Sequence, residues 1–205
     1  MSENMWRLVA RYAAIVLVTV PLLGGCAFLG GAFSSPQSSP EEWNVRDTPD
    51  TMTATPPEGW IILDPEAGES YWSFAIARAA PAWENVPGVI AYNVSPKWIC
   101  GLYHQLPTAR FDLEAISRQT KKDRETTGTV KDAHLLEPRL IGGSSARGFE
   151  GIFTFNDGVD YPAQCWKVWR EDGLWTIFVV GDPGTSTVPS ELIDVLDTVE
   201  WTPAP

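Results

Sequence analysis

Little in this chain is of the kind that builds an active site or grips nucleic acid. Two histidines and three cysteines occur in 205 residues, and neither His104 nor His134 stands at ligand-type spacing from the other or from a cysteine. A zinc site would need further ligands close by, so both histidines read as surface or half-buried polar residues, and no metal or cofactor is expected. Basic residues are also short: 15 Lys and Arg face 26 Asp and Glu, a net charge of −11. Such a surface repels nucleic acid and anionic headgroups, which excludes DNA binding and a polybasic membrane patch.

Catalytic constellations are missing as well. There is no phosphate loop or dinucleotide fingerprint. "GGSSARG" at 142–148 offers Ser144 and Ser145 between glycines. The pattern places them in a strand-to-strand turn, not at the strand-to-helix elbow of a serine hydrolase, and the glycines there permit a tight backbone path. The acid pairs Glu41–Glu42 and Glu171–Asp172 fall in a tether and a hairpin turn. Glycoside hydrolysis needs two carboxylates facing across a cleft, one of them in an apolar setting. Long apolar runs are absent too. The stretch from Ala13 to Leu23 has 11 residues, rising as a helix roughly 16 Å against about 30 Å of bilayer hydrocarbon.

That short run follows Arg7 and Arg11, so it suits an export signal. It ends at Leu23-Gly24-Gly25-Cys26, which resembles the lipobox of bacterial lipoproteins: an aliphatic residue, two small residues and a cysteine whose thiol accepts a diacylglyceryl group. The alternative is an ordinary signal peptide with an incidental cysteine. Two or three acyl chains on Cys26, at about 0.8 kcal/mol per buried methylene, make a stable anchor on the extracytoplasmic face of the cell membrane. Losing residues 1–25 removes Glu3, Arg7 and Arg11, leaving 25 acidic and 13 basic side chains. The lipid must then do the anchoring, while the acidity keeps the domain soluble and off the bilayer.

Cys100 and Cys165 remain. An even count in an exported chain points to one disulfide, which across about 65 residues would contribute roughly 4 kcal/mol in the chain-entropy picture. Two separate buried thiols are the alternative. Neither has an adjacent histidine or a Cys-x-x-Cys partner that would make it reactive.

Residues 1–25 thus read as a lipoprotein signal peptide and 26–57 as an acylated cysteine and flexible tether, rich in Ser, Thr, Pro, Gly and acids. A glycosylated stalk is the other use for that composition. Residues 58–203 form one domain. Strands are predicted at "GWIILD" and "YWSFAIARA"; "VIAYNVSP" and "WICGLYH" flank Pro96, which demotes them to an edge or a bend. "RFDLEAISRQTKKDRETTG" is the clearest helix, with Leu113, Ile116 and Thr120 on one face, Glu114 and Arg118 paired at i, i+4, and Gly128 at its end.

A meander follows through "HLLEPRLI", "SARGFEGIFTF", "YPAQCWKVWR" and "LWTIFVV", turning at "NDG" and "EDG". The last element is a helix in "VPSELIDVLDTVEW", with Pro189 in its first turn and Leu192, Val195, Leu196 and Val199 on one stripe. Strands, helix, strand meander and helix make an α+β domain with an antiparallel sheet.

The stretches "PPEGWIILDP", the helix near 111–126, "LIGGSSARGFEGIFTF", "CWKVWREDGLWTIFVVGDP" and "LIDVLDTVEW" resemble the PsbP-like family, and more narrowly LpqN-type lipoproteins of actinobacteria. The lipobox and tether match too. The resemblance implies an antiparallel β-sheet sandwiched by helices, and a non-enzymatic accessory or binding role with no catalytic set to transfer.

Tryptophan is the one conspicuous excess. Ten occur, nine of them after the signal peptide. On "CWKVWR" alternation puts Cys165, Lys167 and Trp169 on one sheet face and Trp166, Val168 and Arg170 on the other. Tryptophans on both faces fit a sheet covered on both sides, so most of them read as core. Trp83 and Trp98, beside proline-rich loops, are the candidates for ligand binding, since an indole offers a broad apolar face and one donor to an envelope protein, lipid or glycan. The competing readings are an envelope hydrolase using Ser144 or a carboxylate, and a structural subunit of a membrane complex.

The anchor carries its own test. Cys26→Ala should abolish metabolic labelling with radioactive palmitate and leave uncleaved or released protein; a correctly processed mutant still held by the membrane would contradict it.

Overall fold

Strands between residues 60 and 180 build one large antiparallel sheet. In the computed structural model the described residues are 48–63, 72–78, 87–95 and 112–203. All lie in the compact unit from Glu42 to Pro205. Cys26, Trp83, Trp98, Cys100 and His104 lie outside them.

The strands of the main sheet are β2 (Trp60–Leu63), β3 (Phe74–Arg78), β4 (Gly88–Val94), β5 (Val130–Leu135), β6 (Arg139–Ile141), β7 (Ser144–Thr154), β8 (Asp160–Arg170) and β9 (Gly173–Val180). Their order is β2-β3-β4-β9-β8-β7-β5, with β6 paired to the other end of β7. The meander forms as its turn residues predict: Asn156-Asp157-Gly158 joins β7 to β8, and the two-residue turn Glu171-Asp172 joins β8 to β9 with Arg170 opposite Gly173. β4 corrects the expectation drawn from Pro96. It is an interior strand between β3 and β9, because the proline lies beyond the strand's last paired residue, Val94, and removes no ladder donor.

Helix α1 (Leu113–Thr126) starts where Asp112 accepts a hydrogen bond from the Ala115 backbone N–H at 3.0 Å, an N-cap that satisfies an otherwise orphaned donor. Glu114 and Arg118 pair as expected, and Gly128 follows at a φ of 71°. The residue most deeply buried on α1 is Ser117 rather than one of its apolar neighbours. The C-terminal helix is shorter than predicted. α2 (Ser190–Asp194) gives way to a 3-10 turn at Val195–Thr198 and then to strand β10 (Glu200–Thr202). The apolar stripe survives the change, since Leu192, Val195, Leu196 and Val199 are all buried.

β10 pairs with β1 (Thr51–Thr53), placing Met52 against Trp201. The expectation that the tether runs to residue 57 is therefore corrected: Met52 is buried in the core, and an alternating "TMT" inside a Thr- and Pro-rich stretch carries too little apolar signal to stand out in sequence.

Two apolar clusters occupy the two sides of the main sheet. The first contains Trp60, Phe74, Ile76, Val89, Trp166, Val168, Trp175 and Ile177, together with Met52 and the stripe of the C-terminal segment. The second contains Val130, Phe149, Phe153, Tyr161, Ala163, Cys165 and Phe178, and α1 packs on β5, β7 and β8. Trp166 and Cys165 thus fall on opposite sides, as alternation requires. The protein is an α+β domain dominated by its antiparallel sheet; the first side is covered by β1 and β10 as well as by the short α2.

The expected Cys100–Cys165 bond is not found. Cys165 is a free, fully buried thiol, flanked in register by Phe149 and Phe178, where it fills space as a small hydrophobe. The tryptophans follow their core reading: Trp60, Trp72, Trp166 and Trp175 are buried, and Trp169 is half-buried.

The β7–β8 hairpin is locked by Asp157, which accepts from the Val159 N–H at 2.9 Å and from the Tyr161 hydroxyl at 2.7 Å. Partial burial first, then this carboxylate, push the Tyr161 phenol up to about 12. A raised pKa means that the stabilising contribution is whole below the ordinary tyrosine value near 10 and is lost as pH climbs towards 12. Tyrosinate absorbance should therefore show a late step near pH 12 that Tyr161→Phe removes, and the variant should lose less stability between pH 10 and 12. An unchanged titration curve would contradict this assignment.

Candidate functional site

At the end of the sheet where β8 turns into β9, an open cleft of about 800 Å³ is lined by Asp50, Gly142, Ser144, Arg170, Glu171, Glu200 and Trp201. They come from the residue before β1, the β6–β7 turn, the start of β7, the end of β8, the turn after it, and β10. The first and last strands among the described residues are thus brought to one place by the pairing of β1 with β10.

Arg170 organises the cleft floor. Its Nε donates to Asp172 Oδ1 at 3.1 Å, Nη1 to Ser144 Oγ at 2.9 Å and Nη2 to Asp50 Oδ2 at 2.6 Å. Its side chain is 15% exposed, while those of Asp50 and Asp172 are 2% and 0% exposed. The second oxygen of Asp172 accepts from the Asp50 backbone N–H at 2.8 Å and from Trp175 Nε1 at 2.9 Å. The guanidinium also lies 4.3 Å from the Trp201 ring centroid, and Trp201 in turn sits 4.9 Å from Trp175. Planar, forked donors suit this arrangement, which a lysine could not reproduce.

Gly142 is required at the cleft wall. Its φ is +53°, and a Cβ there would fall 2.3 Å from Trp201 Nε1, which donates to the Ile141 carbonyl at 3.3 Å. The glycine pair after Ile141 therefore serves the packing of Trp201 rather than an oxyanion hole.

The other acids and hydroxyls weighed from sequence are dispersed. Ser144 accepts from a cation, the reverse of what activates a serine nucleophile. Glu150 contacts His134 Nε2 at 2.8 Å and accepts from Gln164 at 2.9 Å. Gln164 accepts in turn from Trp166 Nε1 at 3.0 Å. A bulge in β5, with Asp132 at a φ of 52°, sets His134 opposite Glu150. Asp157 serves the hairpin. Among the described residues no group of three or more His, Cys, Asp and Glu could hold a metal ion. The cleft's charge is negative in excess, with Glu171 and Glu200 at its rim beside a floor of two aspartates and one arginine, so it favours hydrogen-bond donors and cations.

Sequence inspection passed over Asp50 and Arg170, because nothing local marks residues 120 apart as partners. Two signals were present: an aspartate just ahead of an apolar alternation, and an arginine immediately before the acidic turn.

Removing one partner of a buried pair leaves a charge uncompensated, at about 3–5 kcal/mol. Arg170→Met should therefore lower unfolding free energy by about that amount in urea titration, and Ser144→Ala by roughly 1 kcal/mol. Equal effects of the two substitutions would contradict the assignment of the floor to Arg170.

No family model and no curated protein matches the chain. Among solved structures it is similar to LpqN of Mycobacterium tuberculosis, described as involved in cell envelope biogenesis, with 14% identity over 77% of this chain and 87% of that one at a TM-score of 0.44. It is similar also to a protein of Bacteroides thetaiotaomicron, with 14% identity over 77% of this chain and 50% of that one at a TM-score of 0.40. A third is cyanobacterial PsbP (CyanoP) of Synechocystis, with 14% identity over 87% of this chain and 98% of that one at a TM-score of 0.39.

Proposed function

We propose that this chain is a lipid-anchored, extracytoplasmic binding or accessory domain of PsbP-like, LpqN-type architecture. In this reading it is held to the membrane through acylated Cys26, is not an enzyme, and engages an envelope protein, lipid or glycan. The observation that carries the role is the state of the cleft side chains. Every polar atom on the Arg170 guanidinium is engaged, Ser144 accepts from it, and Asp172 accepts from three donors. Groups held in this way present a fixed pattern to a partner, and Ser144 is turned to a cation rather than to a general base. The lipobox at Cys26 and the acidic mature surface support the location. The rim acids Glu171 and Glu200 beside the Trp201 ring favour a partner that brings a cation or donor groups to an aromatic edge.

The test pairs two measurements on the full chain. Membranes carrying it should yield a stoichiometric cross-linked partner that is lost when Glu171→Lys and Glu200→Lys reverse the rim charge. Ester and glycoside substrates of the envelope should be untouched by the wild type and equally by Ser144→Ala, Ser145→Ala, Glu150→Gln and Asp157→Asn variants. Turnover that vanishes in any of these would replace the binding role with hydrolysis.

A further inference from the structure

The two edges of the main sheet are not equally guarded. An edge strand leaves alternate N–H and C=O groups able to pair with another chain, and folded proteins blunt such edges with charged side chains, bulges or a covering element. β5, at one end of the strand order, carries Lys131 and His134, is bent by the bulge at Asp132, and has α1 packed on it. β2 lies at the other end. It reads Trp60-Ile61-Ile62-Leu63, without charge or proline, and pairs with β3 in unbroken register.

Ile61 and Ile62 point to opposite faces of the sheet, yet they are 43% and 44% exposed. Both faces are therefore open along this strand. The Trp60 N–H donates to the Pro57 carbonyl at 3.0 Å rather than to β3, closing a turn in which Gly59 takes a φ of 79°. Alternation then sets the Ile62 N–H and C=O on the open side. The strand itself is held firmly. Trp60 is buried, and the Arg78 guanidinium lies 4.6 Å from its ring centroid while pairing with Asp182.

Charge selects the occupant. Arg78 is already spent on Asp182, the exposed Glu58 precedes the strand, and Asp64 follows it in sequence. A second copy is disfavoured. Antiparallel pairing of β2 with itself about Ile61 would bring Glu58 of one copy alongside Asp64 of the other, in two chains that each carry a net charge of −11.

We propose that β2 takes an extended segment of a partner protein as an added strand. The segment's apolar side chains cover Ile61 and Ile62, and lysine or arginine at its ends is drawn by Glu58 and by the chain's excess of acid. Main-chain hydrogen bonds supply the affinity in this mode, and the flanking charges add specificity. β3 and β4 separate β2 from β9 and the cleft, so the proposal stands without the cleft reading.

The experiment follows the fluorescence anisotropy of a labelled peptide, Lys-Lys-Val-Thr-Val-Thr-Val-Lys-Lys, titrated with the full chain. Saturable binding is expected. Replacing the peptide's lysines with glutamates should weaken it roughly tenfold or more, because like charges then meet. N-methylation of every valine and threonine removes the donors of the apolar stretch and should abolish measurable binding. Ile61→Ser and Ile62→Ser alter side chains that are largely in solvent, so both variants should keep the wild-type circular dichroism spectrum and weaken binding roughly fivefold. Absence of saturable binding, binding that survives N-methylation, equal affinity for the two flanking charges, or an affinity unchanged in both isoleucine variants overturns the proposal. A concentration-dependent dimer in sedimentation that Ile62→Ser dissolves also overturns it and assigns the edge to a second copy.

Discussion

Asp50, Arg170 and Asp172 meet where water hardly reaches, and the ends of the domain are fixed by that meeting. Asp172 is in a tight turn, Arg170 ends the central strand β8, and Asp50 precedes the short strand that closes the fold. A buried ion pair seldom outperforms a well-packed apolar cluster in net stability. Its value here is geometric: three forked donors accept one arrangement of Asp50, Ser144 and Asp172. The pairing of β1 with β10, the seating of Trp201 on Trp175, and the shape of the cleft all follow from that arrangement.

The two sides of the sheet divide the chemistry between them. One carries most of the buried tryptophans and is filled by aliphatic side chains from α2 and the turn after it. The other is built from phenylalanine rings in stacked and edge-on contact, with Arg124 of α1 and the buried Lys167 of β8 set among them. β8 and β9 are buried along nearly their whole lengths. They show a nearly unbroken apolar run because both sides are covered, and the polar residues within them, Gln164, Lys167 and Thr176, are each hydrogen-bonded.

Much of this fold was legible in sequence because its signals are local. The hairpins at Asn156-Asp157-Gly158 and Glu171-Asp172-Gly173, the capped helix and the facing of Cys165 against Trp166 rest on turn chemistry and alternation. What escaped is non-local. β1 has three residues and becomes a strand only through β10. The C-terminal helix breaks off after one turn because its last residues are needed for that pairing, although its apolar stripe was placed correctly. An even number of cysteines implied a bond, yet Cys165 sits between two phenylalanines as packing material. The cleft was illegible for the same reason as β1, since Asp50 and Arg170 become neighbours only when the sheet closes.

The join at Asp50 also decides how the domain answers tension. Among the described residues, a pull delivered from the amino-terminal side meets Asp50 before it reaches the short ladder from Thr51 to Thr53. The first contacts loaded are then the carboxylate and the backbone N–H of Asp50, clasped by Arg170 and Asp172. A three-residue strand alone would peel. Locked at its root by a desolvated charge, it transmits the load into β8 and β9 instead.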